Sequence, residues 1–176
     1  MEYAIKIMLR GTQEELYNFI DEFRTEFKNL AAEDISFPRG VNGIAKYSDA
    51  TTLYIKGTPI HVKGAINYNH LIVEKGVDKK YPKINSGDKI KFAYLKEPNP
   101  FKDTVIAFPS RLPPEFGLND YIDYDKQFNK SFIEPVKIIL DCIGWETEKR
   151  NTLEDFFAWV YLIKLRKIVV LKKHQF

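Results

Sequence analysis

At 176 residues, with 44% hydrophobic and 14% aromatic side chains, the chain is apolar enough to bury one real core, which excludes a disordered polymer. A single cysteine, Cys142, excludes an intrachain disulfide framework and fits a reducing compartment. The net charge of +3 hides a division: residues 158–176 hold five cations (Lys164, Arg166, Lys167, Lys172, Lys173) and no acid, leaving 22 basic against 24 acidic residues over the first 157.

MEYAIKIMLR carries a charge at Glu2 and lacks an apolar core of signal length, so no signal peptide is expected there; a short helix is predicted over Glu2–Leu9, broken at Gly11. Thr12-Gln13-Glu14-Glu15 reads as a capping box. Leu16, Ile20, Phe23, Phe27 and Leu30 then follow at helical spacing, predicting an amphipathic helix to about Leu30. Phe37 to Tyr54, with Pro38, Gly40, Asn42 and Gly43, reads as loop with short extended pieces. Thr58 as N-cap and Pro59 at the first helical position predict a helix to about Val73, ended by Gly76 and Asp78.

Lys89 to Leu95 alternates Ile90, Phe92 and Tyr94 with Lys89 and Lys91, the pattern of a half-buried strand. Glu97-Pro98-Asn99-Pro100 is a turn, and Thr104 to Phe108 predicts a second strand. Beyond the interruptions at Pro109, Pro113 and Pro114, a last long helix is predicted through Tyr124, Phe128, Phe132, Val136, Leu140 and Ile143, with Pro135 as a kink or a new start. The pattern is α+β, mostly helical, with a small antiparallel hairpin.

Chemistry-bearing motifs are few. His61, His70 and His174 have no Cys/His partner at ligand spacing, so no structural zinc site is expected. Phosphate-cradling glycine motifs, nucleophile elbows and metalloprotease helices are missing. Acids at Glu33-Asp34, Asp120, Asp123 and Asp125 fall in loops or at helix starts, where dipole complementarity explains them. These features point to a binding module, with no catalytic residue and no metal ligand in this chain.

The middle of the chain suggests what is bound. From Lys56 to Lys102 ten lysines stand against Glu74, Asp78, Asp88 and Glu97, a local +6. Lys56 and His61 flank the start of the Thr58-Pro59 helix, whose unpaired amides make a ready phosphate site. Helical spacing places Lys63, Asn67 and His70 on one face, with Tyr68 and Leu71 turned inward. Gly64 leaves room for the close approach of another backbone, protein or nucleic acid. With no arginine among the ten lysines, contact with a phosphate backbone is expected rather than base reading.

The stretches GIAKY (Gly43–Tyr47), PIHVKGAINYN (Pro59–Asn69), GDKIKFAYLKEPNPF (Gly87–Phe101), VIAFPS (Val105–Ser110) and FIEPVKIIL (Phe132–Leu140), in this order, resemble the C-terminal thumb domain of family B DNA polymerases of T-even-like bacteriophages. The resemblance spans almost all of residues 1–157 and implies a thumb-like domain over 1–150. Such a domain grips the new primer–template duplex behind the active site, without sequence preference. It implies duplex-facing roles for Lys46, Tyr47, His61, Lys63, Gly64, Tyr68 and Asn69, with Lys96 and Asn99 in the hairpin turn; Lys56, from the helix start, joins them as a DNA-binding candidate. It also implies a palm, fingers and exonuclease portion on a separate chain, which would carry the catalytic divalent metals, in the cytoplasm of an infected host cell. Lys79-Lys80-Tyr81 imitates the family's primer-gripping motif but follows the wrong block, so it reads as an ordinary loop.

Leu153-Glu154-Asp155-Phe156-Phe157 resembles the peptide with which such polymerases dock a sliding clamp, Leu153, Phe156 and Phe157 forming a three-pronged plug over residues 151–157. Arg150 stands where that peptide usually has glutamine. The basic tail, 158–176, lies outside the family pattern, and its cations at Lys164, Arg166 and Lys167 interrupt it well short of a membrane span. A rival expectation is a protein-interaction module that docks a clamp through the peptide, its lysines merely solubilising.

Overall fold

The computed structural model describes residues 1–148. In chain order it holds α1 (Glu2–Arg10), α2 (Gln13–Phe27), α3 (Ala32–Ile35), β1 (Phe37–Gly40), α4 (Ile44–Tyr47), β2 (Ser48–Asp49), β3 (Leu53–Tyr54), α5 (Ile60–Glu74), β4 (Lys89–Tyr94) and β5 (Val105–Phe108). Two short 3-10 turns precede α6 (Tyr124–Phe128), which leads through a π turn (Asn129–Ile133) into α7 (Glu134–Ile143). The expected α+β class stands: helices surround one antiparallel sheet of order β1-β4-β5, with a separate β2-β3 ribbon.

The capping box at α2 forms in full, the Thr12 hydroxyl accepting from the Glu15 amide and the Glu15 carboxylate from the Thr12 amide. The helix ends at Phe27, a turn earlier than the spacing to Leu30 suggests. Its aromatic stripe is the start of the core: Phe23 stacks edge-on against Phe132 at 4.9 Å, and Phe27 against Phe128 at 5.2 Å.

Between Phe37 and Tyr54 the expected loop contains real elements. β1 pairs with β4 from Phe37↔Phe92 to Gly40↔Lys89, which puts Arg39 opposite Ile90. β4 pairs on its other side with β5, from Lys91↔Phe108 to Tyr94↔Val105. All four β5 residues are buried, because α5 crosses that strand at very short range. A Cβ at Gly64 would lie 2.9 Å from the Ala107 nitrogen and 3.1 Å from the Ile106 carbonyl carbon. The backbone that Gly64 admits therefore belongs to this protein's own β5.

Thr58 does not cap α5. The helix begins one residue later than predicted, with Pro59 at the cap position, while the Thr58 hydroxyl donates backwards to the Ile55 carbonyl at 2.7 Å. The single long helix predicted after Tyr124 is two helices with a π turn between them. Pro135 cannot donate the amide that a continuous α-helix needs, and the wider turn before it absorbs the mismatch. Asp123 caps α6 by accepting from the Lys126 amide, Asp125 pairs with Lys28 at 2.9 Å, and Glu33 pairs with Arg111, so these acids serve the fold.

Candidate nucleic-acid interface

α5 carries two polar faces, and they differ in what they touch. On the inner one, Lys63 Nζ lies 2.7 Å from Asp103 Oδ1 and 4.7 Å from the centre of the Tyr54 ring. The Tyr54 hydroxyl donates to Asp103 Oδ2 at 2.6 Å, and the Asn67 amide donates to the same oxygen at 2.9 Å and to the Val105 carbonyl at 3.0 Å. Asn99 closes the knot by donating to the Asp103 and Lys96 carbonyls. Burial by itself raises the Asp103 carboxyl, but Lys63, Tyr54, Asn67 and the Thr104 amide together hold it below the ordinary aspartate value. Burial alone lowers the Lys63 ammonium, yet Asp103 and Tyr54 more than compensate and raise it. The pair is thus charged and internally neutral.

This arrangement corrects several sequence expectations. Lys63, expected at the duplex, has its charge matched by an aspartate only 8% exposed. Asn67 is fully buried and does not continue a polar stripe. Tyr68 is 1% exposed and packs its ring against Phe116 at 5.6 Å; it lies inward, as helical spacing predicts, away from the surface expected by resemblance. Asn69 uses both ends of its amide on Ile84, accepting from that residue's nitrogen and donating to its carbonyl at 2.8 Å each. Asn99 is 7% exposed. Gly64 faces β5. His70 is exposed but sits 3.5 Å from Glu74 on its own helix, and Lys80 of the Lys79-Lys80-Tyr81 triplet pairs with Glu115.

The outer face lies at the start of α5. No side chain caps the helix, and its first bonded amide is that of Lys63, which donates to the Pro59 carbonyl at 2.9 Å. The amides of Ile60, His61 and Val62 therefore point out of the helix with the positive end of its dipole. Around them the fold gathers cations. The Ile55 amide donates to the Tyr47 carbonyl at 3.0 Å, laying the Lys56-bearing loop beside α4, whose exposed Lys46 sits over the Tyr47 ring at 5.4 Å. Arg39, exposed on β1, lies close enough to His61 to act on its charge. Burial, with Arg39 second, holds His61 below its ordinary value, so its imidazole is neutral in the free protein at pH 7.

Among the described residues, Lys46, Lys56 and Arg39 have no acidic partner within salt-bridge distance. Lys46 and Tyr47 on α4, Lys56 before α5 and His61 in its first turn thus lie on elements that adjoin in the fold, with Arg39 of β1 acting on His61. The signal for Arg39 was present, since a cation on an edge strand must face solvent, but only the β1–β4 register places it beside the helix start. Lys96 stands apart, exposed at the hairpin and acting on Asp125. No group of potential metal ligands clusters among the described residues, and none of their helices is long and apolar enough to cross a membrane. Leu153, Phe156 and Phe157 lie outside the described residues.

No protein-family model matches the chain. It is 30% identical over 162 residues to the DNA-directed DNA polymerase of Enterobacteria phage T4, an alignment covering 90% of this chain and 18% of that protein. It is also 30% identical over 135 residues to the DNA-directed DNA polymerase of Escherichia phage RB69, covering 74% of this chain and 14% of that one. The chain spans less than a fifth of the length of these curated relatives. Over most of its own length it is similar to one stretch of phage DNA-directed DNA polymerases.

Proposed function

We propose that this chain is the duplex-gripping, thumb-like part of a phage DNA-directed DNA polymerase of family B, acting in DNA replication with a palm, fingers and exonuclease portion. The observation that carries this reading is the uncapped start of α5 ringed by Arg39, Lys46, Lys56 and His61. Its chemistry suits a phosphate: three outward amides, cations without an acidic partner among the described residues, and a neutral imidazole able to gain a proton. The similarity to two phage DNA-directed DNA polymerases supports DNA as the polyanion. The protein meets the phosphate backbone, so the binding carries little sequence preference. Catalytic metals and the nucleotidyl transfer itself belong to the partner portion, in the cytoplasm of the infected cell. The DNA-gripping unit is assigned to residues 1–150.

Fluorescence-anisotropy titration of a primer–template duplex tests this reading. The full chain is used, with Lys164, Arg166, Lys167, Lys172 and Lys173 replaced by glutamine throughout, so that tail charge does not contribute. Replacing Arg39, Lys46 and Lys56 with glutamate should weaken binding by about tenfold or more at low salt and reduce the salt slope by about one for each phosphate no longer neutralised. Unchanged affinity and slope would overturn the reading. The rival, a clamp-docking peptide at Leu153, Phe156 and Phe157 with idle lysines, would then move ahead.

A further inference from the structure

The turn that leads into α5 carries an apolar side chain at the edge of the cation group. Ile55 follows β3, and its carbonyl accepts from the Thr58 amide at 3.3 Å and from the Thr58 hydroxyl at 2.7 Å. Lys56 and Gly57 are the two residues inside that turn, and Gly57, at φ +86°, supplies the positive angle that a type II turn requires at its third position. On the other side the Ile55 amide donates to the Tyr47 carbonyl at 3.0 Å. Both backbone polar groups of Ile55 are therefore fixed, while its side chain is 41% exposed. The preceding Tyr54 is engaged in the inner knot, its hydroxyl donating to Asp103.

A lone exposed isoleucine is ordinary. What sets Ile55 apart is its company. Lys46 stands beside Tyr47, across the amide link, and Lys56 follows in the chain. The outward amides of Ile60, His61 and Val62 begin just beyond the turn, whose two ends lie within about 7 Å of each other. Along a nucleic-acid strand, the unit on either side of a phosphate is a sugar. An apolar group beside a phosphate site is thus placed to meet sugar carbons.

We propose, resting on the duplex-gripping reading above, that Ile55 reads the sugar: it packs on the C2′ face of the strand held at the start of α5 and favours deoxyribose over ribose. In DNA that carbon carries only hydrogen, and apolar contact with it is favourable. In RNA it carries a hydroxyl, the group by which a protein tells the two apart. Set against Ile55, that hydroxyl loses water and gains no partner from the turn, because the Ile55 amide and carbonyl and the Thr58 hydroxyl are already bonded within the fold. Arg39, Lys46 and Lys56 meet a phosphate that both sugars share, so the discrimination falls to this side chain.

Anisotropy titrations with three primers on one DNA template test this, in the full chain with its five tail cations replaced by glutamine. The primers are deoxyribose, ribose, and a 2′-fluoro strand that keeps the ribose-like pucker but has no hydroxyl to desolvate. The ribose primer should bind about fivefold more weakly than the deoxyribose one, and the fluorinated primer within about twofold of deoxyribose. Ile55→Ser, which offers the hydroxyl a partner, should bring ribose and deoxyribose within about twofold of each other, while Ile55→Val should keep the preference. Equal affinities with Ile55 in place, or a preference that survives Ile55→Ser, would overturn the inference. A fluorinated primer as weak as the ribose one would also overturn it and assign the preference to duplex shape. Absence of binding to every duplex would overturn it together with the reading it rests on, whereas DNA binding without preference overturns it alone.

Discussion

Lys56 and Lys63 stand on either side of the start of one helix, and the structure treats them in opposite ways. Lys63 turns inward, where Asp103, Tyr54 and Asn67 surround it in a closed knot that ties α5 to β3 and to the segment leading into β5. Lys56 stays in solvent with Lys46 and Arg39, beside three amides that nothing in the described protein accepts from. The difference teaches that cations crowded near a helix start are not one signal. A charge already matched inside the fold reports on stability, and only an unmatched one has attraction to offer a ligand. Burial decides which is which, since a desolvated ammonium without a partner costs far more than an exposed one.

The sharpest way to break this comparison is to open the knot. Asp103→Ala leaves Lys63 mostly buried without its counter-charge and should cost about 3 kcal/mol in urea unfolding. Duplex affinity of the folded protein should stay within about twofold, since Arg39, Lys46 and Lys56 form no ion pair with Asp103. The sign of the pH dependence follows from the depressed Asp103 value. Its stabilisation is fully present above the ordinary aspartate pKa and is lost as pH falls through the lower folded value, and Asp103→Ala should remove that acid-side loss. A stable variant with weakened DNA binding would move Lys63 to the interface and erase the distinction. Lys63→Glu, an obvious choice from sequence, is a poor probe of DNA binding because it sets two carboxylates face to face.

A smaller loss is expected at Gly64, also on the inner side. Gly64→Ala pushes a methyl onto the β5 backbone, where neither Ala107 nor Ile106 has a flexible end that can give way. About 1–3 kcal/mol should be lost in the same unfolding measurement. Were the variant neutral in stability but impaired with duplex, the close approach would belong to nucleic acid after all. By contrast Lys46→Glu or Lys56→Glu should change stability by no more than about 0.5 kcal/mol.

Much of the scaffold was legible in the sequence because its signals are local. The Thr12–Glu15 box, the α2 stripe and the alternation in β4 each depend on neighbours a few residues apart. What was illegible depends on partners far away in the chain. Asp103 lies 40 positions from Lys63, and no spacing rule relates them. Helical spacing put Asn67 on the same face as Lys63, correctly, but could not say that this face meets β5 rather than water. The Thr58 cap failed for a different reason: the helix starts one residue later than the local signal, and the Thr58 hydroxyl turns back to the Ile55 carbonyl, leaving Pro59 at the cap position with no side chain to cap it. That failure strengthened the site, since a capped helix start would have fewer free amides to offer.

The smallest expected effect lies on the open side, at His61. Burial and the neighbouring Arg39 lower its pKa, so the free protein carries a neutral ring at pH 7. A phosphate brought against the start of α5 favours the protonated form and raises that value in the complex. Affinity must then increase as pH falls from the bound pKa toward the free one, because binding takes up a proton in that interval. Folding stability moves the other way: the lowered value means the unfolded chain binds the proton more readily, so acidification through this range destabilises the free protein. Anisotropy titrations at fixed salt should show severalfold tighter duplex binding at pH 5.5 than at pH 8, and His61→Gln should flatten the profile. A pH-independent affinity in the unaltered chain would place His61 outside the phosphate's reach and leave Arg39, Lys46 and Lys56 to define the open side alone.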